Sequence, residues 1–201
     1  VSGCWITDNG AAAPVTSAGA GIYADCASAP LVEHSDITFN RFTTQGGGVA
    51  GAGTYRFCQI DDNAAERGGG AHARGCTLSF EDCSISRNAA ANPQGDLHEG
   101  GGVIGPAKLE RCVLADNLAN IEGGGALECT LTACELRGNE LDNFLPSTVV
   151  VRGAGAARST LVDCTVEGNR VGGGVAGLDF LPGEGAGLHD CVASGTRIVG
   201  N

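Results

Sequence analysis

Polar and apolar positions alternate along this chain in short units that recur from end to end. Ala133-Cys134-Glu135-Leu136-Arg137-Gly138-Asn139 shows the unit: a cysteine, an aliphatic residue two positions on, and an asparagine three beyond that. Residues two apart on an extended chain share a face. Cys134 and Leu136 are therefore expected to point inward, and Glu135 and Arg137 outward. Anchored on asparagine, the unit appears at Asn9, Asn40, Asn63, Asn88, Asn117, Asn139, Asn169 and Asn201. Three residues before these stand Ile6, Ile37, Ile60, Ile85, Leu114, Leu136, Val166 and Ile198; five before stand Cys4, Ser35, Cys58, Cys83, Cys112, Cys134, Cys164 and Thr196. The anchors lie about 22 to 32 residues apart, the period range of a solenoid. Each asparagine is expected to end its strand, because it tolerates the left-handed backbone region and its amide bonds to nearby backbone. Stacked coils would turn the eight amides into one ladder.

The other half of each repeat is glycine. Gly46-Gly47-Gly48, Gly68-Gly69-Gly70, Gly100-Gly101-Gly102 and Gly123-Gly124-Gly125 follow their asparagines, and Gly19-Ala20-Gly21, Gly153-Ala154-Gly155 and Gly183-Glu184-Gly185 are looser copies. No triplet ends in the Gly-Lys-Ser/Thr of a phosphate loop or leads into a helical pattern. Registered glycines instead suit sharp turns and close backbone approach. Leu78, Leu109, Leu131 and Leu161 precede Cys83, Cys112, Cys134 and Cys164. One coil then reads glycines, short strand, leucine, bend, Cys-x-aliphatic strand, asparagine turn, variable loop.

These residues resemble the right-handed parallel β-helix group, and within it the passenger repeats of polymorphic outer-membrane proteins, which pair Phe-x-x-Asn with Gly-Gly-Ala-Ile/Leu/Val. Leu136-Arg137-Gly138-Asn139 and Gly124-Gly125-Ala126-Leu127 carry the likeness, with an aliphatic residue in place of Phe in all eight copies. The resemblance covers nearly the whole chain and implies one all-β domain over 1–201: a pectin-lyase-like solenoid of about seven coils. It implies little about function, since this scaffold hosts lyases, hydrolases, adhesins and passive stalks.

Composition narrows the picture further. Aromatic residues make up 4% of the chain, so the core must be thin and built from Val, Ile, Leu, Ala and Cys. A net charge of −11 argues against nucleic acid, which needs a basic face. No apolar run is long enough to span a bilayer. No cofactor is expected; scattered Asp and Glu could hold calcium loosely, but no EF-hand spacing occurs. The ten cysteines lack any Cys-x-x-Cys, which disfavours zinc. Cys58, Cys83, Cys112, Cys134 and Cys164 form one stack. Stacked strands sit close enough for disulfides between coils, Cys76–Cys83 and Cys129–Cys134 could bridge within a coil, and inward cysteine can also be plain apolar filler.

Insertions follow Asn88 (Ala89 to Glu99), Asn139 (Glu140 to Val150) and Asn169 (Arg170 to Glu184), all at one point of the repeat, so they predict a loop edge. The last two carry Leu141-Asp142-Asn143-Phe144-Leu145-Pro146 and Leu178-Asp179-Phe180-Leu181-Pro182. Phe144, Leu145, Phe180 and Leu181 are candidate contacts for a protein or glycan, or pack on one another. Val1–Asn9 aligns without a gap on Ala193–Asn201, a pattern expected of a segment of a longer solenoid or of end-to-end self-association. Asp61 and Asp62, with His72 assisting, are the thin candidates for a carbohydrate-cleaving site; His34, His98 and His189 are expected on loops or edges. The expectation is a non-catalytic secreted or cell-surface β-helix serving as stalk, adhesin segment or filament subunit. The alternative is a polysaccharide lyase or hydrolase acting at the loop edge.

Overall fold

A computed structural model describes residues 1–91, 98–142, 150–172 and 183–201, with the side chains of 11–17, 42, 183 and 184 set aside. The chain winds as a right-handed parallel β-helix whose coils contribute strands to four parallel sheets. The first sheet holds the repeat unit: Trp5–Thr7, Asp36–Thr38, Gln59–Asp61, Ser84–Ser86, Val113–Ala115, Glu135–Arg137, Thr165–Glu167 and Arg197–Val199. Its register stacks like on like, Ile6 on Ile37 on Ile60 on Ile85 on Leu114 on Leu136 on Val166 on Ile198. Ile37 through Val166 of this column are fully buried. Each such side chain contributes about 1.5–3 kcal/mol of transfer free energy, and only stacking realises it, because one coil has no interior.

The stretch after each asparagine is not simply a variable loop. Gly10–Ala18, Arg41–Gln45, Ala64–Arg67, Ala89–Ala90, Leu118–Ala119, Glu140–Asp142 and Arg170–Gly172 form a second parallel sheet. Its inward column is small at first (Thr43, Ala65, Ala90, Ala119), then Leu141 and Val171. These strands carry no recurring motif like the Cys-x-aliphatic unit of the first sheet, so parallel pairing rather than local pattern decides them. The three insertions begin with the strands Ala89–Ala90, Glu140–Asp142 and Arg170–Gly172 of this sheet. Phe144, Leu145, Phe180 and Leu181 lie outside the described residues.

The third sheet follows the glycines (Ile22–Ala24, Val49–Gly51, Ala71–His72, Val103–Ile104, Ala126–Leu127, Ala156–Ala157, Leu188–His189). The fourth precedes the cysteines (Leu31–Glu33, Gly53–Arg56, Leu78–Glu81, Ala107–Glu110, Thr130–Thr132, Thr160–Val162, Val192–Ser194). In the fourth sheet Leu109, Leu131 and Leu161 do share a column, but Phe80, not Leu78, is their register mate. The column continues to Tyr55 and Val32, with the Tyr55 and Phe80 rings stacked at 5.2 Å. Leu78 sits two residues earlier, on Gly53 and Ala107.

Corners are made by left-handed residues, and the asparagines are not among them. The residue before each asparagine has positive φ instead: Asp8, Phe39, Asp62, Arg87, Asp116, Gly138, Gly168 and Gly200. The residue before each cysteine-register position does the same: Gly3, His34, Phe57, Asp82, Arg111, Ala133, Asp163 and Gly195. One left-handed residue swings the chain from sheet to sheet with its own side chain outward. For a non-glycine residue this costs about 1–2 kcal/mol, which the following inward residue offsets with the bonds described next.

Candidate functional site

The asparagine side chains form one unbroken ladder. Nδ2 of each donates to Oδ1 of the next, from Asn9 to Asn201, over 2.8–3.1 Å. Each Oδ1 from Asn40 onward also accepts the backbone N–H of the preceding asparagine. The second Nδ2 hydrogen goes to a carbonyl one coil back, as from Asn88 to Ile60 at 2.7 Å. Asn40, Asn63, Asn88, Asn117, Asn139 and Asn169 are essentially inaccessible, yet every polar atom of each amide is bonded. The last glycine of each triplet faces this ladder. A Cβ on Gly70 would lie 2.6 Å from the Gly102 carbonyl oxygen and 3.0 Å from the Asn88 amide. The two halves of the repeat are thus one device: the amide fills the space the glycine leaves.

The cysteine register is a second ladder. Each thiol donates to the carbonyl two residues before it, Cys83 to Glu81, Cys112 to Glu110 and Cys134 to Thr132 at 3.3–3.4 Å. Sγ of Cys134 and Cys164 accept the N–H of Cys112 and Cys134 from the preceding coil, both at 3.4 Å. Ser35 and Thr196 play the same part at the ends, accepting from Cys4 and Cys164. At the corner between third and fourth sheets Ser159 does so for Cys129. All five cysteines of the stack are free thiols, so they bridge neither each other nor Cys76 or Cys129. Burial pushes the Cys129 thiol up to about 12. The one disulfide joins Cys26 to Cys76, 50 residues apart. Those two corners reach across the coil between them, whose corner is pinched to Ala52 between Gly51 and Gly53. A Cβ on Gly51 would strike the Ala24 carbonyl at 1.7 Å. Neither Cys76–Cys83 nor Cys129–Cys134 forms, because the thiols of Cys83, Cys129 and Cys134 face inward onto carbonyls.

Outside the shaft, charges pair from coil to coil. Arg111 binds Glu81 and Asp82, Arg67 binds Glu99, and Arg158 binds Glu122 and Glu128. Glu122 and Glu128 flank Ala126–Leu127, so the Arg158 guanidinium spans that strand. Ile104, Leu127 and Ala157 form a small buried cluster on the outward face of the third sheet. His72 belongs to the same face, in register with Ala50 and Ile104. Its Nδ1 accepts the Arg74 N–H at 2.8 Å, while Nε2 is buried without a partner. Burial first, and then Arg67 and Arg74, push its pKa down to about 4. His98, expected at an edge, is buried, with Nδ1 on the Glu66 carbonyl at 3.0 Å. His34 stacks on Phe57 at 4.9 Å, and His189 closes the third sheet.

Asp61 and Asp62 line a shallow groove of about 440 Å³ on the outer face of the first sheet, together with Trp5, Asp36, Gln59 and Arg87. Asp61 accepts from the Ser86 hydroxyl at 2.6 Å and the Ser86 N–H at 3.1 Å. Burial raises its carboxyl above the ordinary range against the opposing pull of Ser86 and Arg87. Asp62 takes the Arg87 guanidinium at 2.9 Å, and the same nitrogen lies 3.6 Å from Asp61. Asp116 holds the corner position one coil beyond Arg87, so Asp62, Arg87 and Asp116 form a charged row. His72 stands on the third sheet, apart from both aspartates. The chain matches no protein family, no curated protein and no solved structure. Among the described residues no cluster of three or more His, Cys, Asp or Glu is placed to hold a metal ion.

Proposed function

We infer that the protein is a non-catalytic β-helical shaft, exported from the cytoplasm and acting as stalk, adhesin segment or filament subunit, in the manner of the passenger repeats it resembles. The observation that carries the reading is the ladder from Asn9 to Asn201: conformational specificity is invested along the whole length rather than at one point. Coil-to-coil ion pairs on the outside agree with a stiff, solvated rod. The Cys26–Cys76 disulfide supports an oxidising compartment. Non-reducing peptide mapping of protein recovered from its native location should return the 26–76 linked pair. Quantitative free thiol at both positions would defeat the export reading. Electron microscopy separates the filament from the other two roles.

A raised carboxyl beside an Arg-bound one gives the enzymatic reading its only foothold, with Asp61 as acid and Asp62 as base. Inverting hydrolysis wants the two carboxylates about 6.5–9.5 Å apart with water between them, whereas here both touch one Arg87 nitrogen. Incubation with a panel of neutral and acidic polysaccharides is expected to release no new reducing or unsaturated ends. Release that disappears in Asp61→Asn would replace the shaft reading with the enzyme.

A further inference from the structure

The outer face of the first sheet carries four carboxylates on its strands: Asp36, Asp61, Glu135 and Glu167. Three have a cation: Arg87 at 3.6 Å from Asp61, Arg137 at 3.0 Å from Glu135, and Arg197 at 3.6 Å from Glu167. Among the described residues Asp36 has none. Its two flanking register positions are filled by the chain itself, Trp5 on one side and Gln59 on the other. Neither can neutralise it. Trp5, the chain's only tryptophan, stands on the outward face of this sheet, and its register neighbour is that unpaired carboxylate. Both line the groove of about 440 Å³, whose other acids are Asp61 and Asp62, which share Arg87, and Asp8, which among the described residues accepts the Thr7 hydroxyl.

An aromatic face beside an unneutralised carboxylate is what a cation selects. The ring quadrupole attracts it from one side and the carboxylate bonds it from the other. We propose that this groove binds an arginine or lysine side chain of a partner protein's extended segment, seated between the Trp5 ring and the Asp36 carboxylate. The excess of acid in the groove and the net charge of −11 steer a basic segment toward it and repel an acidic one. The site makes no use of Asp61 chemistry, so it stands whether or not the shaft proves catalytic. A bound cation would give Asp36 the partner that the other carboxylates of this face find within the chain.

Trp5 supplies its own reporter, because no other tryptophan contributes to the emission. The intact protein is titrated with a blocked Gly-Arg-Gly-Arg-Gly peptide, with its citrulline counterpart, and with a neutral oligosaccharide. The arginine peptide should give a saturable change in emission that weakens at least about tenfold in Asp36→Asn and at high salt. Glu167→Gln, at the far end of the same face, should leave it unchanged. Calorimetry with Trp5→Ala provides a second route without the reporter and should show binding lost. An equal response to the citrulline peptide or to the oligosaccharide, or binding unaltered in Asp36→Asn, would overturn the proposal.

Discussion

Cys26 and Cys76 are bonded to each other over the top of a coil that contributes neither sulfur, with their Cα atoms 5.1 Å apart. The corner beneath them shrinks to one alanine between two glycines, so the staple grips three coils at once.

Closing a loop of this size restricts the unfolded chain by about 4 kcal/mol in the loop-entropy account. Cys26→Ser with Cys76→Ser should therefore lower the thermal midpoint markedly. The parent protein in excess reductant should melt with the variant, since the other eight cysteines are already thiols. Scanning calorimetry with and without reductant checks this. Equal midpoints would mean that the staple adds nothing.

In the middle of the ladder, Asn88 accepts from Asn63 twice and donates to Ile60 and Asn117. Asn88→Ala leaves those buried partners unsatisfied at roughly 1–3 kcal/mol each. A loss of several kcal/mol is expected in urea unfolding. Asn9→Ala, at an exposed end with one coil of partners, should cost much less.

At Cys134 the thiol works as a hydroxyl would, accepting from Cys112 and donating to Thr132. Ser35, Ser159 and Thr196 already occupy equivalent positions elsewhere. Cys134→Ser should change stability by less than about 1 kcal/mol, and Cys134→Ala should cost about 1–3 kcal/mol through the orphaned N–H of Cys112. If alanine proves milder than serine, the thiols are apolar filler after all.

His72 is held neutral, its pKa down to about 4 from an ordinary 6.5. A histidine with a depressed folded pKa contributes stability above its unfolded value. That contribution drains away as pH falls from about 6.5 toward about 4. His72→Asn keeps an acceptor for the Arg74 N–H and removes the titration. The stability of the parent relative to the variant should fall by roughly 3 kcal/mol between pH 7 and pH 4, followed by urea unfolding across that range. Parallel curves would show that His72 does not titrate with unfolding.

The first sheet and the asparagine ladder were legible because they repeat in one register, and repetition survives without knowledge of the partner coil. Phe80 was missed because the spacing from the cysteine pointed to Leu78. Only pairing with Leu109 shows that the aromatic is the column member. The asparagine was expected to take the left-handed turn, yet Arg87 takes it before Asn88 and Ala133 before Cys134. An arginine and an exposed alanine carry no local signal for that conformation; the bonds of the residue that follows impose it. The groove left a partial trace: Asp61 and Asp62 stood out, but Trp5 and Asp36 lie 31 residues apart and meet only through strand pairing.

The amino-acid order alone determined a stacked parallel solenoid, its phase and its inward residues, since period and side-chain alternation are properties of the chain. Tertiary structure decided which cysteines bond, which side chains share a column, and which carboxylate goes without a cation. Those are relations between coils, set by how far each corner reaches, and no single coil contains them.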